Sequence, residues 1–177
     1  MGLKLNMDVL KKKIRHIPDF PKPGVLFYDI TTLLQDREGF KQVVEVLAGP
    51  YLDKPVDVVV GIESRGFILG GAVADRLGAG FSPVRKPGKL PSRTVRETYE
   101  LEYGTDCLEM HDDAVRPGQR VLIVDDVIAT GGTAKATAAL VRRLGGEVVG
   151  LAFLIELLAL NGRSRLAGEN VYTVLQY

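Results

Sequence analysis

The stretch 121-VLIVDDVIATGGTAKA-136 runs an uninterrupted apolar segment into two adjacent acids, then a turn of small residues, then a segment of helical character. Val121 to Val124 is the most apolar run of the chain and reads as a buried strand. Asp125 and Asp126 at its end repel one another, and burial would add desolvation to that repulsion. Such a pair is tolerable where it accepts hydrogen bonds from a polyol or faces a divalent ion, because ionised carboxylates only accept. Gly131 and Gly132 allow positive φ and close approach of the backbone to a ligand. Thr130 and Thr133 add hydroxyls, and Thr133 is placed to cap the helix that follows. Unpaired N–H groups at that helix start, with its dipole, suit an anion such as a phosphate monoester. Diol acceptors a few residues before a phosphate cradle describe a ribose 5-phosphate site. A solvated acidic turn and an ordinary strand–helix junction are the competing readings of the two halves taken singly. No lysine follows the glycines, which excludes a Walker A loop, and their adjacency excludes a dinucleotide fingerprint.

Outward from this stretch, apolar strands alternate with helical segments. 56-VDVVVGIES-64 reads as a buried strand, Gly66 to Leu77 as a helix closed by Gly78, and 81-FSPVRK-86 as a short strand. Thr133 to Leu144 is read as a helix, with strands at 147-EVVGLAFLI-155 and 171-VYTVLQ-176. Nearer the start, helices are expected at Met7 to Ile14 and Glu38 to Leu47, separated by the proline-punctuated loop 18-PDFPKPGV-25. Continuously apolar strands alternating with helices imply an α/β fold, a mainly parallel sheet covered on both faces. Ligands of such sheets bind at the carboxyl ends of the strands. Two strand ends carry unusual loops, 61-GIESRGF-67 and 125-DDVIATGGT-133. The charged stretch 85-RKPGKLPSRTVRETYELEYG-104 is too polar for core and reads as a long loop whose later half alternates like an exposed hairpin.

The 177 residues suffice for one domain with a full core. A net charge of +1 gives no basic surplus for nucleic acid. No apolar run approaches the roughly 20 residues that span a bilayer, and the first residues lack the features of a secretory signal. One cysteine, Cys107, excludes an internal disulfide and a Cys-rich metal site, and a reducing, cytoplasmic setting fits. Cys107 reads as a small apolar filler, and His16 and His111 lack metal-ligand spacing.

The opening stretch resembles the phosphoribosyl-pyrophosphate-binding motif of the type I phosphoribosyltransferases. 19-DFPKPGVLFYDIT-31, 61-GIESRGFILGGAVA-74, 85-RKPGKLPS-92, 101-LEYGTDCLEMH-111 and 154-LIEL-157 follow in the order and spacing of the adenine phosphoribosyltransferases, over about residues 7–177. The resemblance implies a type I phosphoribosyltransferase fold, one domain over 1–177 with a small hood and a mobile lid hairpin at about 85–106. The implied activity is purine salvage: adenine and phosphoribosyl pyrophosphate give AMP and pyrophosphate. Mg²⁺ is the implied cofactor, held mainly by substrate rather than a protein cage. A homodimer is implied, with no nucleic-acid or membrane partner. A transferase for hypoxanthine, guanine or xanthine is the nearest alternative. A non-catalytic regulator of the same fold usually carries a DNA-binding segment, and none is visible.

Matching positions imply roles. Ala129, Thr130, Gly131, Gly132 and Thr133 would hold the 5-phosphate, and Asp125 and Asp126 the ribose hydroxyls. Glu63, Ser64 and Arg65 would meet the pyrophosphate, with a cis Glu63–Ser64 peptide exposing amides to it. Lys89 would reach the pyrophosphate when the lid closes. Glu102 matches the acid that manages the base's proton, with Glu97 and Glu100 close by as rivals. Phe27 would stack on adenine and the Leu26 backbone would read its edge, although Phe27 as plain core competes. Tyr28 and Pro87 stand where relatives often carry a basic residue, a departure that implies a differently tuned lid closure.

Overall fold

Val59, Leu122, Val124, Ala152 and Leu154 lie in one buried cluster, while Val58, Val60, Ile123, Leu151 and Phe153 lie in another. That alternation is the two faces of a sheet whose strands are covered on both sides, which is why each strand is apolar throughout. The computed structural model describes residues 7–100 and 104–177. The sheet has five strands, β3 (Val58–Ile62), β4 (Gly80–Val84), β7 (Arg120–Ile128), β8 (Glu147–Glu156) and β9 (Val171–Gln176), in the order β4-β3-β7-β8-β9. All neighbours are parallel.

Helices α3 (Arg37–Ala48) and α4 (Arg65–Leu77) contribute Val43, Leu47, Leu69 and Val73 to the first cluster. Asp36 caps α3 by accepting from the Gly39 N–H at 2.7 Å, and α4 ends at Gly78, whose φ of +67° is the left-handed turn that glycine adopts freely. On the other face, α5 (Gly132–Arg143) adds Ala134, Ala138, Leu140 and Val141. The same cluster takes Leu108 and Met110 from an antiparallel hairpin, β5 (Thr94–Glu100) and β6 (Thr105–His111). A second two-stranded ribbon, β1 (Arg15–Ile17) and β2 (Phe27–Asp29), precedes a short helix α2 (Thr31–Gln35), and α1 (Met7–Lys12) precedes both.

The structure corrects several expectations. The 121–124 strand does not stop at the acids but continues to Ile128. Its ladder to β3 ends at Gly61↔Val124, whereas its ladder to β8 continues through Asp125↔Phe153, Val127↔Ile155 and Ile128↔Glu156. One side of β7 therefore opens at the acids while the other stays paired. The first helix ends at Lys12 rather than Ile14. The hood ribbon, α2 and the short 3₁₀ turns Leu158–Leu160 and Gly162–Leu166 lack the periodic signal that marked the longer elements. The later half of 85–104 does form a hairpin strand, β5, as its alternation suggests, but it is docked on α5 rather than standing free: Arg143 donates to the Arg96 carbonyl and, at 2.6 Å, to Glu97.

Gly150 in β8 lies against the ring of buried Tyr51, where a Cβ would overlap the Tyr51 hydroxyl. Gly150→Ala is expected to destabilise the fold by about 1–3 kcal/mol. Thermal melts should show Tm lower by roughly 2–4 °C per kcal/mol.

Candidate active site

The strand order reverses between β3 and β7: α4 leads from β3 outward to β4, and the chain then returns to place β7 on the other side of β3. Such a reversal leaves a crevice at the carboxyl ends of the two strands. The 63–65 loop after β3 and the acids of β7 meet there. The Arg65 guanidinium donates to the Asp126 carboxylate, across 61 positions of sequence. Burial alone would lower the Arg65 guanidinium, but Asp126 outweighs it and holds it above its ordinary value. Asp126 has a side chain only 7% exposed.

Asp125 is buried, and its Oδ1 accepts from the Asp126 N–H at 2.9 Å. Burial, then the neighbouring Asp126 carboxylate, push the Asp125 carboxyl well above the usual carboxylate range. Gly66 makes this packing possible: a Cβ there would stand 2.7 Å from Asp125 Oδ1. The glycine of 63-ESRG-66 is thus needed for close approach of α4 to β7.

The Glu63–Ser64 peptide is cis, as the resemblance implied. The Glu63 carboxylate accepts from Lys89 Nζ, from the Lys86 N–H at 3.0 Å and from the Arg85 guanidinium at 3.4 Å. Burial alone would raise this carboxyl, yet these donors hold it at about 2. Lys89 is therefore brought to the 63–65 loop. Arg85 was missed in the sequence, although adjacent basic residues at the end of a strand were the available signal.

After β7, Ala129 to Thr133 lead into α5. Gly131 has φ of +80° and forms the N-cap, with no side-chain hydrogen bond to the cap. The expected Thr133 cap is thus replaced by glycine geometry, and Thr133 uses its carbonyl to accept from Thr137 Oγ1 at 2.8 Å. A Cβ at Gly131 would overlap the Gly162 carbonyl, and one at Gly162 the Ala129 carbonyl. Gly162 is the support of this loop that the sequence reading missed, and 161-NG-162 was its only local sign. Tyr99 packs on Gly132, and Arg165 donates to the Glu100 carbonyl at 3.3 Å, leaving a cavity of about 450 Å³ between hairpin and α5.

Leu26 is exposed, and Phe27 lies under the Arg65 guanidinium, 5.4 Å from ring centroid, with Phe20 edge-on at 5.1 Å. Tyr28 turns to His16 and Tyr177 instead. Glu102 lies outside the described residues. Cys107 is half-buried, and His111 sits 3.4 Å from the Arg93 carbonyl. Among the described residues no group of three His, Cys, Asp or Glu side chains is placed to hold a metal.

A parallel sheet with a glycine-capped helix start after one strand and a crevice between it and its neighbour defines a class. Residues 30–174 match the phosphoribosyl transferase domain family, and the chain belongs to it. Within that family, an adenine phosphoribosyltransferase of Acidobacterium capsulatum is 60% identical over 173 residues, covering 98% of this chain and 96% of the relative. The crystal structure of adenine phosphoribosyltransferase from Rhodothermus marinus superposes with a TM-score of 0.93 at 60% identity, covering 97% of this chain and 98% of that one. The Saccharomyces cerevisiae enzyme, solved with an imino-altritol bisphosphate and adenine, gives a TM-score of 0.89 at 39% identity, covering 96% and 98%.

Because the raised Asp125 carboxyl favours its neutral form in the fold, its contribution to stability falls as pH rises above the ordinary aspartate range. Asp125→Asn is expected to stabilise the protein at pH 7–8, on the order of 1 kcal/mol. Melts at pH 5 and pH 8 check this: the gain should be larger at pH 8.

Proposed function

We propose that the chain transfers the phosphoribosyl group from 5-phosphoribosyl 1-pyrophosphate to adenine, giving AMP and pyrophosphate in purine salvage. The observation that carries this reading is the crevice where Arg65 and Asp126 meet beside the glycine-capped loop. It supplies what a sugar diphosphate needs: acceptors for hydroxyls, cations for a leaving diphosphate, and the amides of a helix start for a phosphate.

Asp125 and Asp126 take the ribose hydroxyls, and Ala129, Thr130, Gly131, Gly132 and Thr133 take the 5-phosphate. The Glu63 and Ser64 backbone, Arg65 and Lys89 take the diphosphate. Breaking the bond between the anomeric carbon and the diphosphate builds positive charge on the sugar and negative charge on the leaving group. Arg65 and Lys89 stabilise the latter as it forms. Adenine, stacked on Phe27 with its edge at the Leu26 backbone, attacks the anomeric carbon. The attacking ring nitrogen then loses its proton, for which Glu102 is the assigned base. The hairpin and the 85–93 segment exclude water that would otherwise hydrolyse the activated sugar.

Oxygen ligands suit Mg²⁺, but with Asp126 paired to Arg65 and Asp125 favouring its neutral form, the site suits an ion carried mainly by substrate oxygens and water. When bound, that ion neutralises diphosphate charge. No helix among the described residues is long and apolar enough to cross a membrane. A cytoplasmic, single-domain enzyme completes the reading. Exposed Ile68 on α4 and Phe81 on edge strand β4 support assembly as a homodimer.

Spectrophotometric detection of AMP from adenine, with and without Mg²⁺, tests the reading. Turnover is expected only with Mg²⁺, and turnover of hypoxanthine in place of adenine would overturn the base assignment. Asp126→Asn should raise KM for the sugar donor and lower kcat, with kcat/KM down about tenfold or more and the melt unchanged. Kinetics equal to those of the parent would remove the ribose assignment.

A further inference from the structure

We infer that the Glu63 carboxylate is a built-in stand-in for the substrate's diphosphate, parking Lys89 and Arg85 until a diphosphate displaces it. The inference rests on the phosphoribosyl-transfer reading above and adds a positioning residue to it, since that reading uses only the backbone of Glu63.

The parking is visible in the donor list of one side chain. Lys89 Nζ and the Arg85 guanidinium both donate to Glu63, and the Lys86 N–H completes the set at 3.0 Å. Arg85 Nη1 also donates to the Lys89 carbonyl at 3.2 Å, so the turn that carries Lys89 is gathered onto the same carboxylate. The acid is mostly covered, with a side chain 12% exposed, whereas Lys89 is 47% exposed. The fixed partner is therefore the acid, and the movable one is the lysine. Arg65, two residues on, is treated in the same way by Asp126. Lys89, Arg85 and Arg65 are thus each held by one of the chain's own carboxylates, with Glu63 shared between two of them.

An arriving diphosphate carries more charge and more acceptor oxygens than one carboxylate, so it outcompetes Glu63 for the cations. The exchange has two consequences. Part of the diphosphate's binding free energy is used to break the Glu63 pairs, which weakens its retention. Lys89, once released, carries the 86–90 turn off Glu63 and towards the substrate.

Calorimetric titration with magnesium pyrophosphate tests this on the full chain. The parent is expected to bind, and Glu63→Gln, which keeps the side-chain shape, to bind roughly three- to tenfold tighter and to show a lower KM for the sugar donor. The gain should largely vanish in a Lys89→Gln background, because the freed cation is its source. Unchanged or weaker binding by a Glu63→Gln protein that melts normally overturns the inference. A gain that persists in full without Lys89 also overturns it, by assigning the effect to simple repulsion. If Glu63→Gln melts early, Glu63→Asp, whose shorter carboxylate withdraws from Lys89, is read instead, with tighter binding expected and equal or weaker binding contradicting the inference. A parent that binds no magnesium pyrophosphate removes the phosphoribosyl reading and this inference together.

Discussion

The ion pair between Arg65 and Asp126 is the constraint around which the crevice is built. It spans the gap left where the β3–β7 ladder stops at Val124, and so ties the segment after β3 to the far half of β7. Asp126, its side chain only 7% exposed, cannot be buried without a partner, and Arg65 at the start of α4 supplies it. Asp125 is accommodated beside them by the missing side chain of Gly66 and by a shifted proton equilibrium. The strain of two adjacent acids is thus taken up by one cation, one backbone amide and one glycine.

The same logic extends to the surrounding segments. Acids on one element hold bases on another at nearly every edge of the crevice. Glu63 holds Lys89 and Arg85, and Glu109 accepts from Arg96 at 2.6 Å and from the Gly88 N–H at 3.0 Å. Lys86 pairs with Asp106, and Tyr99 donates to the same carboxylate at 3.0 Å. These pairs are partly exposed, so each adds little to stability. Their value is positional: they fix the 85–90 turn and the β5–β6 hairpin beside the glycine loop while leaving bonds that a more highly charged ligand is able to exchange.

Much of this was legible in the sequence because the long elements follow simple periods. The apolar runs at 58–62, 121–124 and 150–155 are strands because they are buried on both faces, and Gly78 marks the end of α4 as its helix-stop position suggests. Polarity breaks the apolar run at the acids, so composition alone ends the strand there. In fact backbone pairing to β8 carries the strand four residues further, and pairing is invisible to composition. The hood strands Arg15–Ile17 and Phe27–Asp29 are three residues each, too short for a period to show. Asp125, Asp126 and the 129–133 loop could be singled out from local chemistry, whereas Arg65 followed only from the family resemblance. Contacts between distant segments could not: nothing in 161-NG-162 says that its glycine sits under the Ala129 carbonyl, and nothing in Glu63 says that its side chain gathers three donors from the next strand end.

The central claim is that this crevice holds a sugar diphosphate across β3 and β7. A crystal structure with ribose 5-phosphate and magnesium pyrophosphate bound tests it most directly. Sugar hydroxyls are expected on Asp125 and Asp126, the 5-phosphate on the amides of 129–133, and the diphosphate on Ser64, Arg65 and Lys89. A sugar phosphate seated elsewhere, with those residues unoccupied in a protein that still turns over, would contradict it.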